Sequence, residues 1–226
     1  MRPLSTPAGR ALAFEASVVV AATVGASLFG FLMSSPASRA EVAFTNRHLV
    51  RVLAYEAILV VVLVPWLVRR GWSPRRVVSA PQPTDLFRGI ALWVATYVFT
   101  SFVWGIYLSL QPGISSFSEV GRQFTGVPAA PAVSILVSIF NPIFEEFLWL
   151  GYGINRMAPK IGVLRAAAMS IVLRTLVHLY QGPMALAGIV PIAVAFTWYY
   201  ARTRRLWPVV VAHVLFDAIG LAARMS

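Results

Sequence analysis

The sequence has no cysteine, a single lysine and only eight acidic residues in 226 positions. Without cysteine there is no disulfide framework and no thiolate chemistry to consider. Charged residues make up 12% of the chain, far below the ~25% of a soluble domain. With 58% hydrophobic residues and a mean hydropathy of +0.75, this is the composition of an integral membrane protein. The length allows one compact helical bundle, residues 1–226, and leaves no room for a separate soluble domain.

The net charge of +11 would suit nucleic acid, but its distribution does not. The basic residues cluster in short gaps between apolar runs, which is the positive-inside pattern of a chain whose partner is the bilayer. Eighteen of the nineteen cations are arginine, with Lys160 the exception. Together with the many Ala and Val residues, that bias points to a GC-rich bacterial genome.

Seven apolar segments stand near the ~20 residues that a spanning helix requires. They cover approximately 13–33, 51–69, 86–110, 130–153, 162–181, 184–201 and 207–223. The expected architecture is therefore an all-α polytopic bundle in the plasma membrane. Arg2 and Arg10 precede the first run, and Ala37-Ser38-Arg39-Ala40 resembles a signal-peptidase site. The run is long for a signal peptide, so a retained helix is expected. Thirteen cations lie at the N-terminus and in the second, fourth and sixth gaps, against five in the alternate gaps and the C-terminal tail. This asymmetry places the N-terminus in the cytoplasm. Trp66, Trp72, Trp198, Tyr199, Tyr200 and Trp207 fall at the same level, as an aromatic belt should. The gap at 71–84 reads as a proline-rich linker and that at 111–128 as an external loop.

The remaining cation, Arg174, sits inside an apolar segment. It belongs to a short set of intramembrane ionisable groups: Glu145 and Glu146 on segment four, Arg174 and His178 on segment five, His213 and Asp217 on segment seven. One charge at the bilayer centre costs roughly 2.5–3.5 kcal/mol on insertion scales, so such groups face a protein interior and have partners. Arg174 and His178 are four apart, as are His213 and Asp217, so each pair shares a helix face. Asn141 and Glu145 share another, with Glu146 rotated about 100° away. A carboxylate beside an imidazole can hold and deprotonate a water, and a second imidazole can donate to a developing oxyanion. Glu15 and Glu56 stand singly in apolar runs and read as interfacial or interhelical contacts; His48 reads as loop.

The series Glu145-Glu146-x-x-x-Leu150, Arg174-x-x-x-His178 and His213-x-x-x-Asp217 resembles the three-motif signature of the intramembrane glutamate endopeptidases. These are the CAAX prenyl endopeptidases of eukaryotes and the bacterial CAAX-protease and bacteriocin-processing proteins (CPBP, or Abi). The resemblance covers about residues 130–220. It implies that Glu145 and His178 activate water, that His213 and Asp217 stabilise the oxyanion, and that Glu146 is structural. It implies a membrane-embedded or membrane-anchored peptide as substrate and no required metal. A Glu/His/His zinc site is the competing chemistry, although no His-Glu-x-x-His helix is present. Two positions depart from the pattern: Leu150 stands where the first motif has arginine, and Arg174 where the second has an aromatic residue. The cation is therefore expected either to have moved between helices, with Arg174 pairing Glu146, or to anchor a loop carbonyl, and the residues favour neither. A catalytically silent scaffold or immunity protein is the alternative that Leu150 supports.

Overall fold

The computed structural model describes residues 7–33, 45–110 and 130–222. The cleavage-site-like stretch at 37–40 and the expected loop at 111–128 lie outside the described residues. Every regular element among those described is helical, and the helices string into seven rods. The first is α1 (Pro7–Val20), a π-helical turn (Ala21–Gly25) and α2 (Ala26–Met33). The second is α3 (Asn46–Arg69); a short α4 (Pro74–Val77) leads to the third, α5 (Pro83–Ser109). The fourth joins α6 (Pro131–Glu146), a π-helical stretch (Phe147–Ile154) and α7 (Asn155–Ile161). The last three are α8 (Val163–Val177), α9 (Gly182–Thr203) and α10 (Trp207–Ala222).

Five described helices are long and apolar enough to cross a membrane: Gly9–Met33, Asn46–Arg69, Pro83–Ser109, Pro131–Ile161 and Ala185–Thr203. The fifth and seventh rods, α8 and α10, have 15 and 16 residues, too few for a full crossing at 1.5 Å per residue. Two boundaries differ from the hydropathy reading. The fourth rod continues through Arg156 and Lys160 to Ile161, because the long Arg156 side chain reaches Glu15 and the Arg70 carbonyl while its backbone stays helical. The fifth stops early, at His178, and a 3₁₀ turn (Leu179–Gln181) follows. His48, expected in a loop, is in the first turn of α3, where its backbone N–H donates to the capping Thr45 hydroxyl at 3.3 Å.

The fourth rod is central. α6 packs on α3 and on α10, its π-helical stretch packs on α8, and α9 closes the ring between α8 and α5. α10 also crosses α5 closely at Gly89, where an added Cβ would stand 2.5 Å from the Val211 Cβ and 2.9 Å from the Pro208 carbonyl.

Polar pins collect at the arginine-rich end. Glu15, 1% exposed, accepts from Arg156 at 2.8 and 2.9 Å, from Arg70 at 3.2 Å and from the Tyr152 hydroxyl at 3.2 Å. It is thus an interhelical contact, one of the two roles its isolation in an apolar run suggested. Asp85 closes the capping box of α5 and takes a bidentate grip from Arg205, both bonds 2.7 Å. The aromatic belt is only partly one. Trp198 is exposed and Trp66 stacks under Arg70, but Trp72 and Tyr200 are buried. Trp72 turns inward because Phe147 and Tyr152 offer it edge-to-face contacts.

Candidate active site

α7 and α8 meet at Gly162, whose φ of +87° is a conformation that side chains rarely adopt. The two rods fold back on each other as a hairpin. Glu145 lies seventeen residues before Gly162 and His178 sixteen residues after it, so antiparallel rods bring them to one level. The extension of the fourth rod to Ile161, beyond the hydropathy boundary at 153, is what gives the two residues equal reach from the turn. Glu145 is also eleven residues, or about 16 Å, from Arg156, which puts it near the middle of a ~30 Å hydrocarbon layer.

All seven residues singled out from the sequence converge here. His178 caps the C-terminus of α8, and its Nδ1 is 2.8 Å from the Arg174 carbonyl. A carbonyl only accepts, so Nδ1 carries the proton and a neutral ring turns a lone pair outward at Nε2. That Nε2 stands 3.7 Å from Glu145 Oε1. The separation is too long for a direct hydrogen bond and suits a shared small donor. Glu145 is 7% exposed, and its Oε2 is buried without a hydrogen-bond partner. The backbone behind His178 is itself held, since the Ser27 hydroxyl of α2 donates to the Val177 carbonyl at 2.5 Å.

Glu146 has the opposite environment. It is fully buried, and Arg174 Nη2 donates to its Oε2 at 2.6 Å. Of the two partners the sequence left open for Arg174, it takes the carboxylate. Leu150 points elsewhere, into the apolar cluster with Phe196, Tyr200 and Val209. The π-helical stretch begins at Phe147, and its wider i→i+5 turn breaks the i, i+4 register between Glu146 and residue 150.

His213 and Asp217 share a face of α10, but the His213 Nδ1 donates to Glu146 Oε1 at 2.7 Å, and Asp217 Oδ1 lies 3.6 Å from the opposite nitrogen. The reason is reach: Glu146 is the closer carboxylate across the α6–α10 contact, while Asp217, one turn along α10, is engaged by the Asn141 amide at 3.2 Å. Glu146 therefore joins three rods, holding Arg174 with one oxygen and His213 with the other.

A further carboxylate, not counted into the site from the sequence, belongs to it. Glu56 of α3 is buried at 8% exposure, its Oε2 makes no hydrogen bond, and Glu145, Asp217 and His213 act on it electrostatically. It shares the buried stripe of α3 with Leu49, Leu59, Leu63 and Leu67. The spacing 49, 56, 63 was available in the sequence as a heptad signal. Among the described residues, no three His, Cys, Asp or Glu side chains group as metal ligands would.

Residues 127–219 match the family model described as type II CAAX prenyl endopeptidase Rce1-like. The match contains every site residue except Glu56. Across 77% of this chain and 71% of the other, the sequence is 27% identical to a Bacillus subtilis protein named "Putative membrane peptidase YdiL". No solved structure matches. These likenesses agree with the family expected from the three motifs and with a bacterial, multi-pass membrane protein.

Proposed function

From this CAAX-protease kinship of the site-bearing helices, we propose that the protein is an intramembrane endopeptidase that hydrolyses a peptide bond of a membrane-associated protein or peptide. The observation that carries the proposal is Glu145: a carboxylate buried at mid-depth, one oxygen unpartnered and the other facing an imidazole lone pair at 3.7 Å. Burial of an unpaired carboxylate is costly, and stability gives no reason to keep it. A water set between Glu145 and His178 is oriented by both acceptors. Glu145 takes its proton as the oxygen attacks the carbonyl carbon. His213, with Nδ1–H on Glu146, offers Nε2–H to the oxyanion in its doubly protonated form, and Asp217 supports that form from 3.6 Å. Glu146 and Arg174 are a positioning pair. The silent-scaffold alternative rested on Leu150, and Arg174 supplies the charge that position lacks.

Glutamate chemistry of this kind needs no metal, and metal analysis of purified protein with a chelator-resistance assay tests that part. Peptide pheromones, bacteriocin precursors and membrane-protein tails are the substrate classes a bacterial site of this depth fits. The arginine-rich end is the proposed cytoplasmic end. Terminal peptide profiling of membranes with wild-type protein and with Glu145→Ala is the decisive experiment. New peptide ends present only with wild type, at equal protein level, support the peptidase. Identical profiles sink it.

A further inference from the structure

Hydrolysis of a peptide bond needs a proton on the leaving nitrogen as well as a base for the water, and the roles assigned so far cover only the second. We propose that Glu56, on α3 and outside the three motifs, is the catalytic acid that protonates the leaving amine. The inference rests on the peptidase reading of Glu145.

Four observations support it. Glu56 is more than nine-tenths buried on the inward stripe of α3, so its carboxyl is directed into the bundle. Its Oε2 has no hydrogen-bond partner, so nothing in the fold explains its retention as a structural contact. It stands fourteen residues from Arg70 at the arginine-rich end, about 21 Å, comparable in depth to Glu145 at about 16 Å from Arg156. The groups acting on it are Glu145 from α6 and His213 and Asp217 from α10, with His213 the sole basic group of the three. The cation Arg174 is committed to Glu146.

Carboxylates crowded this way, with one imidazole among them, share protons instead of all carrying charge. Glu145 interacts both with His178 and with Glu56 of this cluster. Its Oε1 faces the imidazole that helps hold the water, and its Oε2 is left without a partner. The step balances without a co-reactant. A water O–H breaks and its proton goes to Glu145, while the oxygen bonds to the carbonyl carbon. The tetrahedral intermediate then collapses, the C–N bond breaks, and the nitrogen takes the proton of the Glu56 carboxyl. The proton held by Glu145 passes to the Glu56 carboxylate and resets the site. The product carboxyl keeps the water's second hydrogen and gives it up to the new amine, and the same crowd of carboxylates favours the ammonium that results.

Leaving-group dependence tests the assignment. The probes are a peptide spanning the cleavage site found by terminal profiling, and the same acyl segment as its 4-nitrophenyl ester, whose phenolate departs without protonation. Both are assayed in proteoliposomes with wild type, Glu145→Ala, Glu56→Gln and Glu56→Asp. Glu56→Gln is expected to slow peptide cleavage by about 10²–10⁴-fold and ester cleavage by less than about tenfold. Glu56→Asp, which keeps an acid on a shorter arm, is expected to recover part of the peptide rate and shows the same split if the Gln variant does not fold. Peptide cleavage by Glu56→Gln at the wild-type rate overturns the proposal. So does an equal loss on both substrates in protein that melts like wild type, which is the mark of a structural role. If Glu145→Ala cleaves the peptide as fast as wild type, the peptidase reading itself falls and the role of Glu56 falls with it.

Discussion

Replacing Arg174 by leucine tests whether the cation on α8 substitutes for one absent from α6. Arg174 is 3% exposed and Glu146 0%, so the pair is deep in the bundle and water cannot solvate the carboxylate once its partner is gone. Breaking a buried ion pair from one side costs about 3–5 kcal/mol, most of it the charge left behind. Two features place this case at the lower end. His213 keeps its 2.7 Å hydrogen bond to the other Glu146 oxygen. The arginine is also only partly engaged, since its Nε and Nη1 make no hydrogen bond. A loss of about 3 kcal/mol at ~2–4 °C per kcal/mol lowers the melting midpoint of purified Arg174→Leu by about 6–12 °C. The double variant Glu146→Gln/Arg174→Leu discriminates. Its glutamine carbonyl still accepts from His213 and no charge is left unpaired, so it is expected to melt within about 4 °C of wild type. Tryptophan fluorescence in detergent reads both. The argument fails if the single variant melts within about 2 °C of wild type, or if the double variant melts no higher than the single one.

Glu145→Gln is expected to abolish processing while melting at or above the wild-type temperature, because a buried oxygen without a partner is replaced by a neutral amide; a lower midpoint with processing intact contradicts the assignment. His213→Ala removes the proposed oxyanion donor and is expected to lower kcat by about 10²–10³-fold. Asp217→Asn keeps an acceptor for Asn141 and leaves the Glu146–His213 bond untouched, so single-turnover assays are expected to show a much smaller loss. Gly89→Ala forces a methyl group against Val211 and the Pro208 backbone where α5 and α10 cross, costing about 1–3 kcal/mol. The cleavage rate per folded molecule is expected to stay unchanged, as Gly89 touches none of the site residues.

The helical bundle was legible because apolar run length is a direct physical requirement of the bilayer, and each of the seven runs is a rod. Its boundaries were less so. Arg156 and Lys160 read as a loop, but one extends to Glu15 and both leave the backbone helical to Ile161. The pairing of Arg174 with Glu146 was half legible from charge, since one intramembrane cation stood beside a surplus of carboxylates, but only the contact between helices excludes a loop carbonyl as its partner. The partner of His213 was not. The i, i+4 spacing to Asp217 is a statement about one helix, and the shorter bond to Glu146 comes from a contact between helices that spacing cannot report. Glu56 was missed for the same reason in reverse. Standing alone in its run it had no local partner to mark it, and only the packing of α3 on α6 brings it to the others.

Glu145 and Glu146 are adjacent in sequence, yet the fold treats them as opposites, and the hairpin at Gly162 is what separates them. Consecutive residues on a helix point about 100° apart, so they meet different neighbours. Glu146 is turned towards α8 and α10, where a guanidinium from one and an imidazole from the other donate to its two oxygens. Glu145 is turned towards the end of α8, where the chain has already left the helix and offers only the Nε2 lone pair of His178. The difference depends on register. Adding one residue at Gly162 would carry His178 about 100° around α8 and 1.5 Å along it, and would take Arg174 off Glu146 by the same rotation. The positive φ of Gly162 holds that register without strain. The satisfied carboxylate thus fixes the three rods against one another, and that rigidity is what lets its neighbour remain unsatisfied at the same depth in the bilayer.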